Sequence, residues 1–273
     1  MELLRVSTKS HKVLVAPISD LQWSGAQGPT AVTIAQRHIA RVLGYEKEGW
    51  TVRFVGLGDY IDFLSPSNRQ RLASAALYDS ADQVIDEKAH QLVEEVFNTI
   101  LKPTRGKWLG ILEGHHFYEA QGSTSDMWLA EILECSFLGT ETYIRLEPSG
   151  IVLWAHHGVG GGQLPSAPIN KLYHVAHGLV GADVYMMGHT TKMGVVRLSR
   201  PTPDWNRTKP DLTHSDIYLV SVGGFSKSTI VGHKQGRIVR GDYAEQKMLT
   251  PSPLAAPLVW VDGKGTPKVR VEV

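Results

Sequence analysis

An α/β fold with two sheets in one domain is what this sequence predicts, and three observations carry the prediction. Short apolar runs of the kind that make buried strands alternate with amphipathic helical segments through the first two thirds of the chain. After Lys192 the texture changes to short alternating stretches (VVRL, IYLVSV, STIVG, RIVRGDY, APLVWV, PKVRVEV) separated by Pro and Gly, which predicts antiparallel strands. Five of the apolar runs stop on a metal-ligand residue: HKVLVAPISD on Asp20, VRFVGLGD on Asp59, KWLGILEGHH on His115 and His116, GIVLWAHHG on His156 and His157, and ADVYMMGH on His189. In sheets covered by helices the chemistry gathers beyond the carboxyl ends of the strands, so these ends are expected to converge on one rim. Carboxylate oxygens together with imidazole nitrogens suit Mn, Fe or Zn better than Mg or Ca.

The strand ending at Asp20 comes first. A loop with Gly25, Gly28 and Pro29 leads into a helix over 30–48, with Thr30 marking its start and apolar positions at helical spacing. A strand over 51–57 follows, then two helices across 66–101; the second, ADQVIDEKAHQLVEEVFNTIL, is amphipathic with an acidic outer face, and Pro103 ends it. The strand 107–112 leads to a helix over 124–138 that begins after Ser123 or Ser125. Strands 142–147 and 151–155 make a hairpin around Pro148, Ser149 and Gly150. A helix over 168–181 and a strand over 183–187 complete the alternating part. No repeat, low-complexity tract or linker interrupts residues 1–273, so a single domain is the simplest account.

At 273 residues, 42% hydrophobic and 20% charged, the chain can bury a sizeable core. The single Cys135 excludes an internal disulfide, and no charged segment followed by a long apolar stretch opens the chain. A soluble, cytoplasmic protein is therefore expected. No apolar run approaches the roughly 20 residues of a membrane span, so no membrane partner is expected. A net charge of +1 gives no global field for polyanions. Locally, residues 192–240 carry nine Lys/Arg (Lys192, Arg197, Arg200, Arg207, Lys209, Lys227, Lys234, Arg237, Arg240) against three Asp (Asp204, Asp211, Asp216), a net of +6. That excess is either a solvated loop and hairpin or a track for a phosphate backbone, with Arg200, Arg207 and Lys209 as substrate-binding residues.

In order, Asp20-Leu21-Gln22, Gly58-Asp59-Tyr60-Ile61-Asp62, Gly114-His115-His116, His157-Gly158 and Gly188-His189-Thr190-Thr191 resemble the five blocks of the calcineurin-like metallophosphoesterase family, D-x-H, G-D-x-x-D, G-N-H-[DE], H-G and G-H-x-H. The likeness covers about residues 11–191, leaving the strands of 192–273 mainly for a second sheet. HHGVGGGQLPSAPINK and GDYAEQKMLTPSPLAAPLV are similar to stretches of phage-encoded members, which would place the protein in a host cytoplasm. The family implies a four-layer α/β/β/α sandwich of two mixed sheets flanked by helices, with a two-metal site that hydrolyses phosphate esters.

Such hydrolysis needs a nucleophile at neutral pH, neutralised phosphoryl oxygens and a proton for the leaving oxygen, and two cations about 3.5–4 Å apart supply the first two. The resemblance implies that Asp59 bridges the cations and that the second site is Asp59, His115, His189 and one of His156 or His157. Strand alternation turns only one of that adjacent pair inward, and His157 lies nearest to the family block. The first site would be Asp59, Asp20, Gln22 and Thr191. Gln22 and Thr191 stand where the family has imidazoles; an amide oxygen and a hydroxyl are harder, weaker donors, so this site is expected to bind loosely. His116 takes the place of the catalytic histidine, the general acid in attack by a metal-bound hydroxide. Phe117 replaces the acidic residue that commonly follows it, leaving Asp62 or Asp126 to orient His116. The implied cofactors are divalent transition metals, Mn first, with Zn or Fe as alternatives.

The expected activity is metal-dependent hydrolysis of a phosphodiester, as a nuclease or a nucleotide phosphodiesterase. The competing expectation is a non-catalytic metal- and nucleic-acid-binding phage protein with a degenerate first site. Gly160-Gly161-Gly162 is either a flexible turn or a loop that approaches phosphate, and His174 with His177 is either surface or a second metal pair. Trp23 is either a core aromatic or a platform for a base.

Overall fold

Val13–Ile18, Phe54–Gly56, Trp108–Ile111 and Val184–Met187 are buried on both faces, the pattern of strands enclosed between other layers. The structure is a computed structural model that describes residues 1–8, 10–63, 70, 79–120, 122–162, 164–204, 211–230, 234–235, 238–239, 243–246, 248, 250–264 and 268–273. Its strands are β1 (Glu2–Ser7), β2 (Lys12–Ile18), β3 (Thr51–Gly56), β4 (Trp108–Ile111), β5 (Glu119–Ala120), β6 (Ser123–Thr124), β7 (Glu141–Glu147), β8 (Val152–His156), β9 (Val184–Met187), β10 (Gly194–Asp204), β11 (Asp211–Ser221), β12 (Lys234–Gln235), β13 (Ile238–Val239), β14 (Leu258–Asp262) and β15 (Lys268–Glu272). The helices are α1 (Val32–Gly44), α2 (Asp79–Val96), α3 (Ser125–Leu133), α4 (Ser166–Gly178) and the single turn α5 (Tyr243–Gln246). No helix among the described residues is long and apolar enough to cross a membrane.

Two mixed sheets organise these elements, as the predicted fold class requires. The first has the order β15-β14-β2-β3-β4, with β2, β3 and β4 parallel and β14 antiparallel to β2. The second has the order β1-β7-β8-β9-β11-β10. The main core draws on both sheets, Val13, Val15 and Val55 from one and Ile144, Leu153 and Val220 from the other. Onto this core α1 packs Ala35, Ile39 and Val42, and α2 and α3 add Leu92, Val96, Leu129 and Leu133. A separate cluster of Leu172 and Ala176 from α4 with Trp154, Tyr185 and Leu219 covers the outer face of the second sheet. Helix, sheet, sheet and helix thus lie in succession.

Two sequence expectations need correction. The strands after residue 192 do not mainly build the second sheet: β14 and β15 extend the first one, while β1, β7, β8 and β9 come from earlier in the chain. Period-two alternation marks a strand but says nothing about which edge it joins. Thr30 is not the helix cap either. Its hydroxyl donates to the carbonyls of Leu21 (2.7 Å) and Gln22 (3.2 Å), tying the loop after β2 to the start of α1. Of the two helices expected over 66–101, the second is α2; residues 64–69 and 71–78 lie outside the described set.

Candidate metal centre

The loops beyond β2, β3 and β4 are zipped together by backbone hydrogen bonds. Asp20 N–H donates to Gly58 O (3.1 Å), Gln22 N–H to Asp59 O (2.9 Å) and Leu112 N–H to Gly56 O (2.9 Å). Tyr60, fully buried, accepts from Gly58 N–H and donates to Leu112 O, both at 3.0 Å. Asp20 (φ 51°), Gln22 (49°), Asp59 (55°), His189 (67°) and Thr191 (53°) all adopt left-handed backbone conformations. Each such residue costs of order 1–3 kcal/mol, and this strain clusters where side chains must be aimed at a site. Glu134 and Met248 are the other non-glycine cases among the described residues.

Three imidazoles meet at this rim. Ligand atoms of His115, His157 and His189 lie within 4.8 Å of one another, and His115 Nδ1 is 3.1 Å from His189 Nδ1. Asp59 sits beneath them, 2% exposed; its Oδ1 accepts from His115 N–H (2.5 Å) and His116 N–H (3.1 Å), and its Oδ2 is 3.3 Å from His157 Nε2. His157 Nδ1 donates to Leu57 O at 2.5 Å, which fixes the tautomer and leaves the Nε2 lone pair for a cation. Burial keeps the His115 and His189 imidazoles neutral, His189 down to about 4, with His157 adding repulsion in each case. Neutral imidazole is the ligating form. Burial opposes ionisation of Asp59, yet the hydrogen bond and charge of His157 hold it below the usual carboxylate range. Conversely, burial would lower His157, but Asp59 and then Asp20 push it up to about 9 when no cation lies between them.

A divalent metal fits this donor set on two further observations. Asp20 is wholly buried, and although Oδ2 accepts from Ser19 Oγ and from His189 N–H (2.9 Å), Oδ1 has no partner among the described residues. His157 Nε2 is likewise buried, with the Asp59 carboxylate 3.3 Å away. An unpaired buried carboxylate oxygen is costly, and a cation beside it would remove the cost. Burial and then the Asp59 charge raise the Asp20 carboxyl to about 6, as expected of two buried acids close together.

His116 is not among the three clustered imidazoles. Its Nδ1 is 2.7 Å from Asp62 Oδ1. Burial works against protonation, but the Asp62 hydrogen bond and the Asp59 charge raise the pKa above the ordinary histidine value. Asp62 therefore orients His116, and Asp126 does not. Asp126, 2% exposed on the first turn of α3, accepts instead from Gly114 N–H (2.9 Å), holding the loop that carries His115.

Burial, with the Asp59 charge adding and the Gly114 hydrogen bond opposing, raises Asp126 to about 7. The linkage sign follows. Below the unfolded pKa near 4 both states are protonated; between about 4 and 7 the unfolded chain ionises first and stability falls; above 7 the full cost is present. In the metal-free protein, Asp126→Asn keeps an acceptor for Gly114. Its expected effect is near zero at pH 4 and a gain on the order of 1–4 kcal/mol at pH 8, read from urea midpoints. Equal effects at both pH values would contradict this.

The remaining sequence candidates divide. His156 shares the outer face of β8 with Trp154, on which it stacks at 5.8 Å, and its Nδ1 accepts from Gly158 N–H; His157, of opposite parity, joins the cluster. Gln22 and Thr191 both lie at the rim by their backbone placement, and Thr191 Oγ1 donates to Ser252 Oγ at 3.3 Å. Nothing in TPSPLAAP signals this contact of Ser252 from the sequence. Arg200 is not brought there: β10 starts at the rim, where Gly194 pairs with Ser221, and runs away from it, so Arg200 lies six residues or roughly 20 Å further on. Its guanidinium donates to Ala176 O near the end of α4. Arg207 and Lys209 lie outside the described residues. Trp23 is a core aromatic, 3% exposed, with Nε1 donating to Glu95 (3.1 Å). His177 Nδ1 bonds Tyr173 O within its own helix, and His174 is exposed.

Comparison with models of known families and with curated proteins finds no match. Among solved structures, the chain is similar to a metallophosphoesterase from Sphaerobacter thermophilus at 13% identity, covering 96% of this chain and 87% of that one, with a TM-score of 0.34. It is also similar to a Thermotoga maritima protein solved by solution NMR, at 14% identity over 50% of this chain and 80% of that one, with a TM-score of 0.24.

Proposed function

We propose that this chain is a metal-dependent phosphoesterase of the calcineurin-like class. The observation that carries the reading is the convergence of Asp59, His115, His157 and His189 at the ends of strands from two sheets, beside a separate His116–Asp62 pair. Those four residues would hold one divalent cation, and Asp59 with Asp20 would face a second. A cation there neutralises phosphoryl charge and supplies a nucleophile at neutral pH. The chain's own contribution is positional and protonic. With Nδ1 held by Asp62, His116 has Nε2 left to deliver a proton to the leaving oxygen, and its raised pKa favours the protonated form. The buried floor made by Tyr60, Leu57 and Leu112 excludes water beneath the ligands.

A phosphodiester, as in a nucleic acid or nucleotide, is the proposed substrate class, supported by the net +6 of residues 192–240, although Arg200 lies at the far end of its strand. Hydrolysis of bis-p-nitrophenyl phosphate by protein stripped of metal and reloaded with Mn²⁺ or Zn²⁺ tests the class. Turnover of p-nitrophenyl phosphate exceeding that of the diester would overturn the diester assignment. Gln22 and Thr191, in place of imidazoles, favour a second reading, a non-catalytic metal-binding module. No turnover of either ester by fully loaded protein would establish it.

A further inference from the structure

We propose that Tyr60 is a positioning residue for the metal ligand His157, acting through one peptide group that both side chains grip. The proposal rests on the reading of the histidine cluster as a metal centre. The Leu57–Gly58 peptide lies in the loop beyond β3. Its N–H donates to Tyr60 Oη (3.0 Å), and its C=O accepts from His157 Nδ1 (2.5 Å). Tyr60 Oη in turn donates to Leu112 O (3.0 Å) in the loop beyond β4. A continuous hydrogen-bond chain therefore runs from Leu112 through Tyr60 and this peptide to His157, joining two loops of the first sheet to the residue that follows β8 in the second.

The peptides on either side have main-chain partners: Leu57 N–H donates to Ile18 O (2.8 Å), and Gly58 O accepts from Asp20 N–H (3.1 Å). The peptide between them is gripped at both ends by side chains. A peptide unit is planar and rigid, so the direction of its N–H fixes that of its C=O. Gly58 (φ 93°) flanks it, and a glycine lets such a unit turn at little cost unless a partner holds it. Tyr60, fully buried, supplies that hold. Gly56 makes room for the hydroxyl, since a Cβ there would lie 2.2 Å from Tyr60 Oη. Holding Leu57 O in place sets the orientation of the His157 ring, and with it the direction of the Nε2 that faces Asp59 at 3.3 Å. Hydrogen bonds in one chain also polarise one another, which makes that nitrogen a better donor to a cation.

The test is competition titration of Zn²⁺ against a chromophoric chelator at neutral pH. Tyr60→Phe keeps the ring, removes the hydroxyl and is expected to weaken Zn²⁺ binding by about 10–100-fold, the usual worth of a group that orients a ligand. Tyr185→Phe is the matched control. Tyr185 is also fully buried, and its hydroxyl likewise donates to a carbonyl (Leu179 O, 2.6 Å) and accepts from an N–H (Ala182, 3.4 Å), but these residues precede β9, at the end of the strand away from His189. Both variants should unfold at lower urea, and Tyr185→Phe should keep its Zn²⁺ affinity. In a His157→Ala background Tyr60→Phe should weaken Zn²⁺ little further, because the ligand it positions is gone. Unchanged affinity in folded Tyr60→Phe, an equal loss in Tyr185→Phe, or full additivity with His157→Ala would overturn the proposal. Should Tyr60→Phe not fold, NMR of the Zn²⁺-loaded wild type decides: slow exchange of the His157 Nδ1 and Tyr60 hydroxyl protons supports the chain, and fast exchange of either overturns it. Absence of Zn²⁺ binding by the wild type would overturn the metal-centre reading and this inference with it, whereas ester hydrolysis plays no part in the readout.

Discussion

His116→Asn is expected to lower turnover of esters with poor leaving groups by roughly 10²–10⁴-fold, the usual worth of a general acid. Esters with good leaving groups, such as p-nitrophenolate, need little protonation and should lose much less. The expectation comes from the separation of two histidine populations at one rim. His115, His157 and His189 turn their nitrogens toward each other, whereas His116 is held 2.7 Å from Asp62. Metal content of His116→Asn should equal that of the wild type. Loss of one equivalent would mean that His116 is a ligand and that the proton comes from elsewhere. Asp62→Asn should act in the same direction but less, and should shift the alkaline-side loss of His116 protonation to lower pH, because the Asp62 hydrogen bond is what raises the His116 pKa against its burial.

The residues that converge in the candidate site were legible because they are written at strand ends. Asp20, Asp59, His115, His157 and His189 each follow a run buried on both faces, and parallel pairing of β2 with β3 and β4, and of β8 with β9, carries those ends to one side. The choice between His156 and His157 was left open by the sequence and is made by parity: Leu153 and Ala155 face the inter-sheet core, so His157 does too. Arg200 was misplaced for a reason equally physical. Nearness in sequence to Gly188–Thr191 suggested nearness to the rim, but a strand moves about 3.3 Å per residue, and β10 departs from the rim. Ser252 and the edge placement of β14 and β15 depend on contacts between segments far apart in the chain, which no local period records. The hydrogen bond of Asp126 to Gly114 belongs to the same class.

Gly114→Ala is expected to abolish tight metal binding. A Cβ at residue 114 would lie 2.1 Å from Asp59 N and 2.2 Å from Asp59 Oδ1, distances that no side chain can occupy. Neither atom can yield on its own. The nitrogen belongs to a loop zipped to Gln22 through the Asp59 carbonyl, and Oδ1 accepts from both His115 N–H and His116 N–H. Relief therefore means separating the loop after β3 from the loop after β4, which carries off Asp59 from one side or His115 and His116 from the other. Overpacking of this kind costs about 1–3 kcal/mol of stability, occasionally more, but the functional loss is larger because ligands from two loops are displaced together. The comparison variant is Gly44→Ala at the end of α1, where an added Cβ meets nothing within 4 Å. That change should leave metal content intact and stability equal or slightly higher, since Ala exceeds Gly in helix propensity by up to about 1 kcal/mol. Metal analysis after dialysis, with the unfolding midpoint of each variant, gives the answer; a Gly114→Ala protein that is folded and retains its full equivalent would show that the two loops can part without disturbing the ligands.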